Sequence, residues 1–203
     1  MHDKKQWSLD EVCDEHQYDD LSTNDMLNRS VHADFLDWMR KNYSEKEVSI
    51  VEVGCGSGRL VKYLPENVKS YVGLDINEKC INTAKEYFSK NKKAKFYLFD
   101  IEDDDIQSVV NKKIDIIYID STLTMLFKPF DCLRELFKFC DTIYLGRTPC
   151  GTETIEHRYM WTGMVADSPN WKFSRNDLME CIPDDWILIH VNNERDVVLK
   201  KKC

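Results

Sequence analysis

The sequence has no apolar segment that would carry the chain into a membrane. No run approaches the roughly 20 apolar residues that a transmembrane helix needs. The stretch Met1–Trp7 is polar and lacks the apolar core of a signal peptide, so we expect no secretory signal. Internal repeats, low-complexity tracts and glycine- or serine-rich linkers are also missing. We therefore expect no membrane partner.

Positive charges are fewer than negative charges in this chain. The chain of 203 residues has 28 Lys and Arg against 36 Asp and Glu, which gives a net charge of −8. Proteins that bind nucleic acids by neutralising phosphates are usually basic. The basic clusters at 90–95, 112–113 and 200–202 are short, and we interpret them as solvated surface. We expect no nucleic-acid partner.

No two of the eight cysteines form a C-x-x-C pair. Several of them fall in predicted core segments, where a thiol behaves as a small apolar group. We expect reduced thiols in a cytoplasmic protein rather than zinc ligands or disulfides, and no metal site. The cysteines stand at positions 13, 55, 80, 132, 140, 150, 181 and 203.

Three of the seven glycines alternate in one short segment, Gly54, Gly56 and Gly58. An apolar strand-like run, Ile50–Val53, precedes them, and a helical pattern follows. Glycine lets the backbone turn tightly and approach a ligand without a Cβ in the way. A helix N-terminus adds unpaired N–H groups and a partial positive charge. The pattern predicts a strand, turn and helix that hold a cofactor.

The spacing of these glycines narrows the choice of cofactor. The dinucleotide fingerprint G-x-G-x-x-G requires a third glycine where this chain has Arg59. Glu52 lies two residues before the first glycine, which disfavours a pyrophosphate and favours a ligand with an ammonium group. The segment resembles the first motif, E/D-x-G-x-G-x-G, of the class I S-adenosylmethionine-dependent methyltransferases. The resemblance implies S-adenosylmethionine as the cofactor.

Acidic residues also end the next three predicted strands. Asp75 ends the second strand, where a carboxylate can accept both ribose hydroxyls, and Ile76 can pack on an adenine face. Asp120 ends the fourth strand, where the family often has a reactive residue or a cofactor contact. The resemblance further implies that Asp100 binds the adenine amino group, that the backbone of Ile101 binds the ring, and that an N-terminal aromatic hydroxyl touches the cofactor. The predicted cofactor-binding residues are Tyr18, Glu52, Gly54, Gly56, Gly58, Asp75, Ile76, Asp100, Ile101 and Asp120.

Strand-like and helical segments alternate from residue 48 onwards. We predict strands at 48–53, 70–75, 95–99, 114–119 and 142–146, with helices near 57–64, 78–90, 104–111 and 129–139. A hairpin follows, with strands at 186–191 and 196–199. This order predicts an α/β fold: a doubly wound, mostly parallel seven-stranded sheet with an antiparallel C-terminal hairpin. Such a hairpin separates the methyltransferase sheet from the dehydrogenase sheet.

The length suits one domain. We predict a single methyltransferase domain over 1–203, with an N-terminal helical cap over 1–44 and a variable acceptor-binding segment over 147–183. The cap contains a helical pattern through residues 23–41. The resemblance covers about 45–203.

Three residues are candidates for catalysis. Arg147 can bind an anionic group bidentately, while His157 or Asp120 can take a proton. Each has a structural alternative: a salt bridge for Arg147, a turn cap for Asp120, and for His157 a surface helix with Glu153 one turn away. We expect the acceptor to lie between 120–123 and 147–161, under the N-terminal helix.

The family's motif for exocyclic amino groups, N/D-P-P-Y/F, is absent after the fourth strand. We therefore expect methyl transfer to a hydroxyl of a small molecule or sugar-like metabolite. Two alternatives stay open: a catalytically silent cofactor-binding partner subunit, and an aminopropyl transferase on the same fold. The runs Tyr144–Pro149 and Ser168–Ser174 are also similar to methyltransferases of surface-polysaccharide gene clusters. The oligomeric state stays open.

Overall fold

The computed structural model describes residues 32–110, 113–159, 168–192 and 195–202. The chain divides into two compact units, with the boundary between Val109 and Val110. None of the helices in these ranges is long and apolar enough to cross a membrane.

The first unit contains two α-helices and three strands in its described part. Their bounds are α1 Ala33–Tyr43, β1 Val48–Val53, β2 Val68–Asp75, α2 Glu78–Tyr87 and β3 Ala94–Leu98. The three strands pair in parallel, β1 with β2 and β2 with β3. Every residue of β1 is buried, because a parallel strand inside such a sheet is covered on both faces. The helix α2 begins where the Asn77 side chain accepts a hydrogen bond from the Cys80 N–H at 2.9 Å.

The described part of the second unit contains two α-helices and the remaining strands. Their bounds are β4 Ile116–Asp120, α3 Pro129–Leu136, β5 Thr142–Gly146, β6 Cys150–Gly151, β7 Ile155–Tyr159, β8 Ser168–Ser174, α4 Arg175–Cys181, β9 Trp186–Asn192 and β10 Asp196–Lys201. Strands β4 and β5 are parallel, whereas β10 is antiparallel to both β5 and β9. The C-terminal hairpin is thus formed as predicted, with β10 next to β5.

Seven strands form one sheet in the order β3-β2-β1-β4-β5-β10-β9. This order confirms the predicted fold class, a mostly parallel sheet that ends in antiparallel strands. The predicted bounds of β1 and β5 coincide with the observed ones.

Two segments that we predict as helices form shorter 3₁₀ helices in place of α-helices. The region 57–64 forms only a short 3₁₀ helix, Arg59–Tyr63, and the region 104–111 forms another, Ile106–Ser108, in its described part. The first cannot continue because Leu64 precedes Pro65 and takes an extended conformation, ψ 133°. Of the predicted N-terminal cap, only the part from residue 32 belongs to the described chain, and α1 lies in it.

The segment after β5 is a small sheet rather than a helix. Strands β6, β8 and β7 are arranged in that order, and β7 pairs antiparallel with β8. The interpretation of this segment as a surface helix, with Glu153 one turn from His157, is therefore wrong. His157 lies on β7 opposite Asn170. The helix α4 was not predicted, although Ser174 caps it by accepting a hydrogen bond from the Asp177 N–H at 3.0 Å.

The cysteines in the described ranges divide into two groups. Free thiols occur at Cys55, Cys132, Cys140, Cys150 and Cys181, as expected. Cys80 is disulfide-bonded, so the expectation of reduced thiols is wrong at this position.

Candidate functional site

The three glycines after β1 all adopt left-handed backbone conformations. The φ angles are 74° at Gly54, 53° at Gly56 and 81° at Gly58. A Cβ atom added at Gly58 would lie 2.7 Å from Cε1 of Phe96 and 3.2 Å from Cε2 of Phe88. Both the backbone angle and the packing therefore require glycine at position 58. The result is a tight turn with three positions at which no side chain could block a ligand.

Asp75 fastens this turn to the end of β2. One carboxylate oxygen, Oδ2, accepts a hydrogen bond from the Gly56 N–H at 2.7 Å, and Oδ1 accepts one from the Asn77 N–H at 2.9 Å. Burial raises the pKa of Asp75, while the backbone hydrogen bonds oppose that shift. Each carboxylate oxygen has two lone pairs, so the predicted acceptance of ribose hydroxyls is compatible with these bonds.

Glu52 lies in the core of the first unit rather than at its surface. Glu52 is 2% exposed, and the buried Tyr71 hydroxyl donates a hydrogen bond to Glu52 Oε2. Burial, followed by the charge of Glu52, raises the pKa of Tyr71 well above its ordinary value. The phenol therefore stays protonated and donates. Sequence reasoning missed Tyr71.

The end of β3 lies beside the end of β2. The Phe99 N–H donates to the Asp75 carbonyl at 2.8 Å, which places Asp100 one residue beyond that contact. The Asp100 side chain accepts from the Glu102 N–H at 3.0 Å. Ile76 and Ile101 are half-buried. Thus the glycine turn, Asp75 and Asp100 lie at one edge of the sheet, whereas Tyr18 lies outside the described residues.

In the second unit, Asp120 and Arg147 bind each other. The guanidinium donates from Nε to Oδ1 at 2.8 Å and from Nη2 to Oδ2 at 2.5 Å. The Asp120 side chain is 6% exposed and that of Arg147 is 41% exposed. This bidentate pair joins two of the three predicted catalytic residues at the ends of β4 and β5. His157 lies on β7, and its side chain lies outside the described part.

The backbone around this ion pair is unusual. Ser121 at φ 59° and Arg147 at φ 47° are the non-glycine residues with positive φ among those the structure describes. Each follows directly after a strand, Ser121 after β4 and Arg147 after β5. Such conformations cost about 1–3 kcal/mol each and often mark functional sites. A Cβ at Gly146 would lie 2.9 Å from Asp120 Oδ1, so glycine leaves room for the carboxylate.

A second buried carboxylate, Asp196 on β10, holds the backbone of Arg147. Asp196 Oδ1 accepts from the Arg147 N–H at 2.8 Å, and Oδ2 accepts from the Tyr144 hydroxyl at 2.8 Å. Asp196 is 5% exposed and Tyr144 is fully buried. Sequence reasoning missed both residues.

Aromatic side chains connect β8 to the loop that follows β4. Trp171 Nε1 donates to the Leu126 carbonyl at 2.8 Å. Trp171 is stacked near Phe173, with ring centroids 6.3 Å apart, and Phe173 meets Phe130 edge-on at 5.6 Å. These contacts place aromatic side chains of β8 next to the loop after β4. Aromatic walls with a few polar groups are typical of small-molecule sites.

One sequence signal marks two close contacts at this edge of the sheet. Glycines inside strands often mark a close approach of another group. Gly73 in β2 is such a case, because an added Cβ would lie 2.8 Å from both Cys55 Sγ and Phe96 Cδ1. Gly146 is the other, beside Asp120. Nothing comparable in the sequence points to Tyr71 or Asp196.

Comparison by sequence gives one family. The model of the family described as "Methyltransferase domain" matches residues 44–158, which is more than half of the chain. No curated protein matches the chain.

Solved structures give the same fold at low identity. The N-terminal domain of EvdMO1 with S-adenosylhomocysteine bound has a TM-score of 0.62 and 15% identity over 84% of this chain and 81% of that chain. Magnesium protoporphyrin IX methyltransferase (ChlM) from Synechocystis PCC 6803 with bound S-adenosylmethionine has 0.62 and 14% over 86% and 79%. The plantazolicin methyltransferase BpumL, with a pentazolic desmethylPZN analog and S-adenosylhomocysteine, has 0.64 and 16% over 98% and 94%. At this identity the likeness shows the fold alone.

Proposed function

Because this chain belongs to the methyltransferase domain family, we propose that it transfers a methyl group to a hydroxyl of a small molecule or sugar-like metabolite. The methyl donor is S-adenosylmethionine. When bound, it would supply a methyl group on a sulfonium, and the electron pair of the broken S–C bond would remain on sulfur. The observation that carries the proposal for the acceptor is the bidentate Asp120–Arg147 pair.

The first unit supplies groups that fit the cofactor. The turn carries glycine at three positions with positive φ, and Asp75 fastens it through the Gly56 N–H. The Asp75 carboxylate suits a pair of ribose hydroxyls, since charge-assisted hydrogen bonds of this kind are strong. Asp100 offers an acceptor for the adenine amino group. Glu52, whose charge favours a cationic partner, supports the methionine ammonium from within the core.

The second unit supplies groups that fit an anionic acceptor. The guanidinium of Arg147 is planar and binds carboxylates and phosphates through two parallel hydrogen bonds. An anionic group on the acceptor competes with Asp120 for that guanidinium. Asp120, released from Arg147, then accepts the proton of the acceptor hydroxyl as its oxygen forms the new O–C bond. His157 is the alternative proton acceptor.

The cofactor is tested by calorimetric titration. The protein binds S-adenosylmethionine and S-adenosylhomocysteine and does not bind NAD. Binding of NAD without binding of S-adenosylhomocysteine would refute the methyl-donor assignment.

The acceptor is tested with hydroxyl compounds that carry a carboxylate or phosphate, matched to neutral analogues. The assay follows S-adenosylhomocysteine formation. Arg147→Ala should raise the acceptor KM, and Asp120→Asn should lower kcat, while the cofactor affinity stays unchanged. His157→Ala decides whether the base is His157 or Asp120. Arg134→Ala, which removes an exposed pair with Asp131, is the matched control.

Four results would contradict the proposed function. Equal turnover of anionic and neutral compounds would remove the role of Arg147. Methylation of amines in place of hydroxyls would replace the acceptor class. Cofactor binding with no turnover of any acceptor would favour the silent partner subunit. Aminopropyl transfer would favour the aminopropyl-transferase alternative.

A further inference from the structure

Arg147 occupies a backbone conformation that its own residue type disfavours. Its φ angle of 47° lies in the left-handed region, where the Cβ of an L-residue crowds the following carbonyl. Arginine has no side-chain group that relieves this crowding locally, as the short side chains of Asn and Asp do. The conformation therefore persists only if surrounding contacts hold it.

Asp196 provides that contact from another part of the chain. Its Oδ1 accepts from the Arg147 N–H at 2.8 Å, across 49 positions of sequence. Its Oδ2 is fixed by the Tyr144 hydroxyl at 2.8 Å, so the carboxylate cannot rotate without losing a bond. At position 148 the Thr148 N–H donates to the Arg195 carbonyl at 2.7 Å, which ties the turn to the same end of β10.

We propose that Asp196 is a positioning residue: it holds the Arg147 backbone in the orientation from which the guanidinium reaches both oxygens of Asp120. The strand β10, antiparallel to β5, thereby sets the geometry of the acceptor-binding arginine. The effect of Asp196 on acceptor binding rests on the proposed function, in which Arg147 holds the anionic group of the acceptor.

The test uses the Arg147 Nε–H proton, which the bond to Asp120 shields from exchange with water. At 24.0 kDa the full chain is suitable for such NMR measurements. Arg147→Lys identifies the resonance by its loss. Arg134, whose exposed guanidinium bonds to Asp131 through one nitrogen at 2.8 Å, is the internal reference.

Asp196→Ala should speed exchange of the Arg147 Nε–H at least tenfold and leave Arg134 unchanged. Tyr144→Phe keeps the bond to the Arg147 backbone and should have a smaller effect. If Asp196→Ala does not fold, Asp196→Asn decides, because its neutral amide oxygen is a weaker acceptor and should give intermediate exchange.

Unchanged Arg147 exchange in folded Asp196→Ala, or exchange in Asp196→Asn equal to that of the parent protein, overturns the proposal. Titration with S-adenosylhomocysteine is measured in the same samples. A protein that fails to bind it, yet shows the expected exchange, contradicts the methyltransferase function and leaves the positioning role standing.

Discussion

The glycine turn of the first unit and the Asp120–Arg147 pair of the second unit are built from different kinds of contact. In the first unit, Gly54, Gly56 and Gly58 alternate within five consecutive residues, and their shared conformation depends mainly on the residue type itself. In the second unit, Arg147 bonds to partners 27 and 49 positions away in sequence. A local motif can thus specify a cofactor turn, whereas the arginine geometry depends on strands that pair only after folding.

The largest expected effect comes from Gly58→Ala. The new Cβ would meet the Phe96 ring at 2.7 Å, and alanine disfavours the φ of 81°. We expect a loss of roughly 2–4 kcal/mol in the free energy of unfolding, together with weakened cofactor binding. Chemical denaturation and calorimetric titration measure the two effects.

Gly151→Ala is the matched control for Gly58→Ala, because an added Cβ there would meet only the flexible end of the Lys172 side chain. Its effect on stability should be small. If both substitutions cost the same, the glycine turn has no special requirement and the contrast between the two units fails.

Asp75→Ala should have the next largest effect. It removes the acceptor of the Gly56 N–H and, by the proposed function, the acceptor of two ribose hydroxyls. The affinity for S-adenosylhomocysteine should fall by roughly 1.5–3 kcal/mol, about ten- to a hundredfold. Asp131→Ala, which removes an exposed carboxylate, should leave the affinity unchanged. An unchanged dissociation constant in folded Asp75→Ala would place the ribose elsewhere.

A smaller effect should appear as a pH dependence. Because burial raises the pKa of Asp75, the native state holds its proton more tightly than the unfolded chain does. Between the ordinary and the raised pKa, stability therefore falls as pH rises. Cofactor affinity should change in the opposite direction, since ribose hydroxyls require the ionised carboxylate: it should decrease several-fold as pH falls through the raised pKa. Titration at several pH values should show a flatter profile for Asp75→Asn.

The smallest expected effect concerns the second unit. Trp171→Phe keeps an aromatic ring but removes the hydrogen bond from Nε1 to the Leu126 carbonyl. The free energy of unfolding should fall by about 1 kcal/mol, with cofactor affinity unchanged. A loss of cofactor affinity as large as that of Asp75→Ala would mean that the variable segment also shapes the cofactor site.

The parts that the sequence predicted share one property: they depend on neighbours along the chain. The pattern from Val48 to Gly58 predicts strand and turn. The acids at the carboxyl ends of β2 and β3, Asp75 and Asp100, follow from where parallel strands end. The predicted helix at 57–64 forms only a 3₁₀ helix, because five residues lie between the left-handed Gly58 and the extended Leu64. Asp196 could not be recognised, since its role depends on hydrogen bonds from the Arg147 N–H and the Tyr144 hydroxyl, which no pattern along the chain indicates.

Because Cys55 packs tightly against Gly73, the reactivity of its thiol can be used to measure how often the glycine turn opens. Cys55 is 6% exposed, and burial followed by the charges of Asp75 and Glu52 raises the pKa of its thiol well above the ordinary value. A thiol reagent reacts only with the thiolate. While the turn is closed, the reagent cannot reach Cys55, and the thiol stays protonated. The rate at which Cys55 is alkylated therefore reports how often the turn detaches, and a ligand held by that turn slows it in proportion to occupancy.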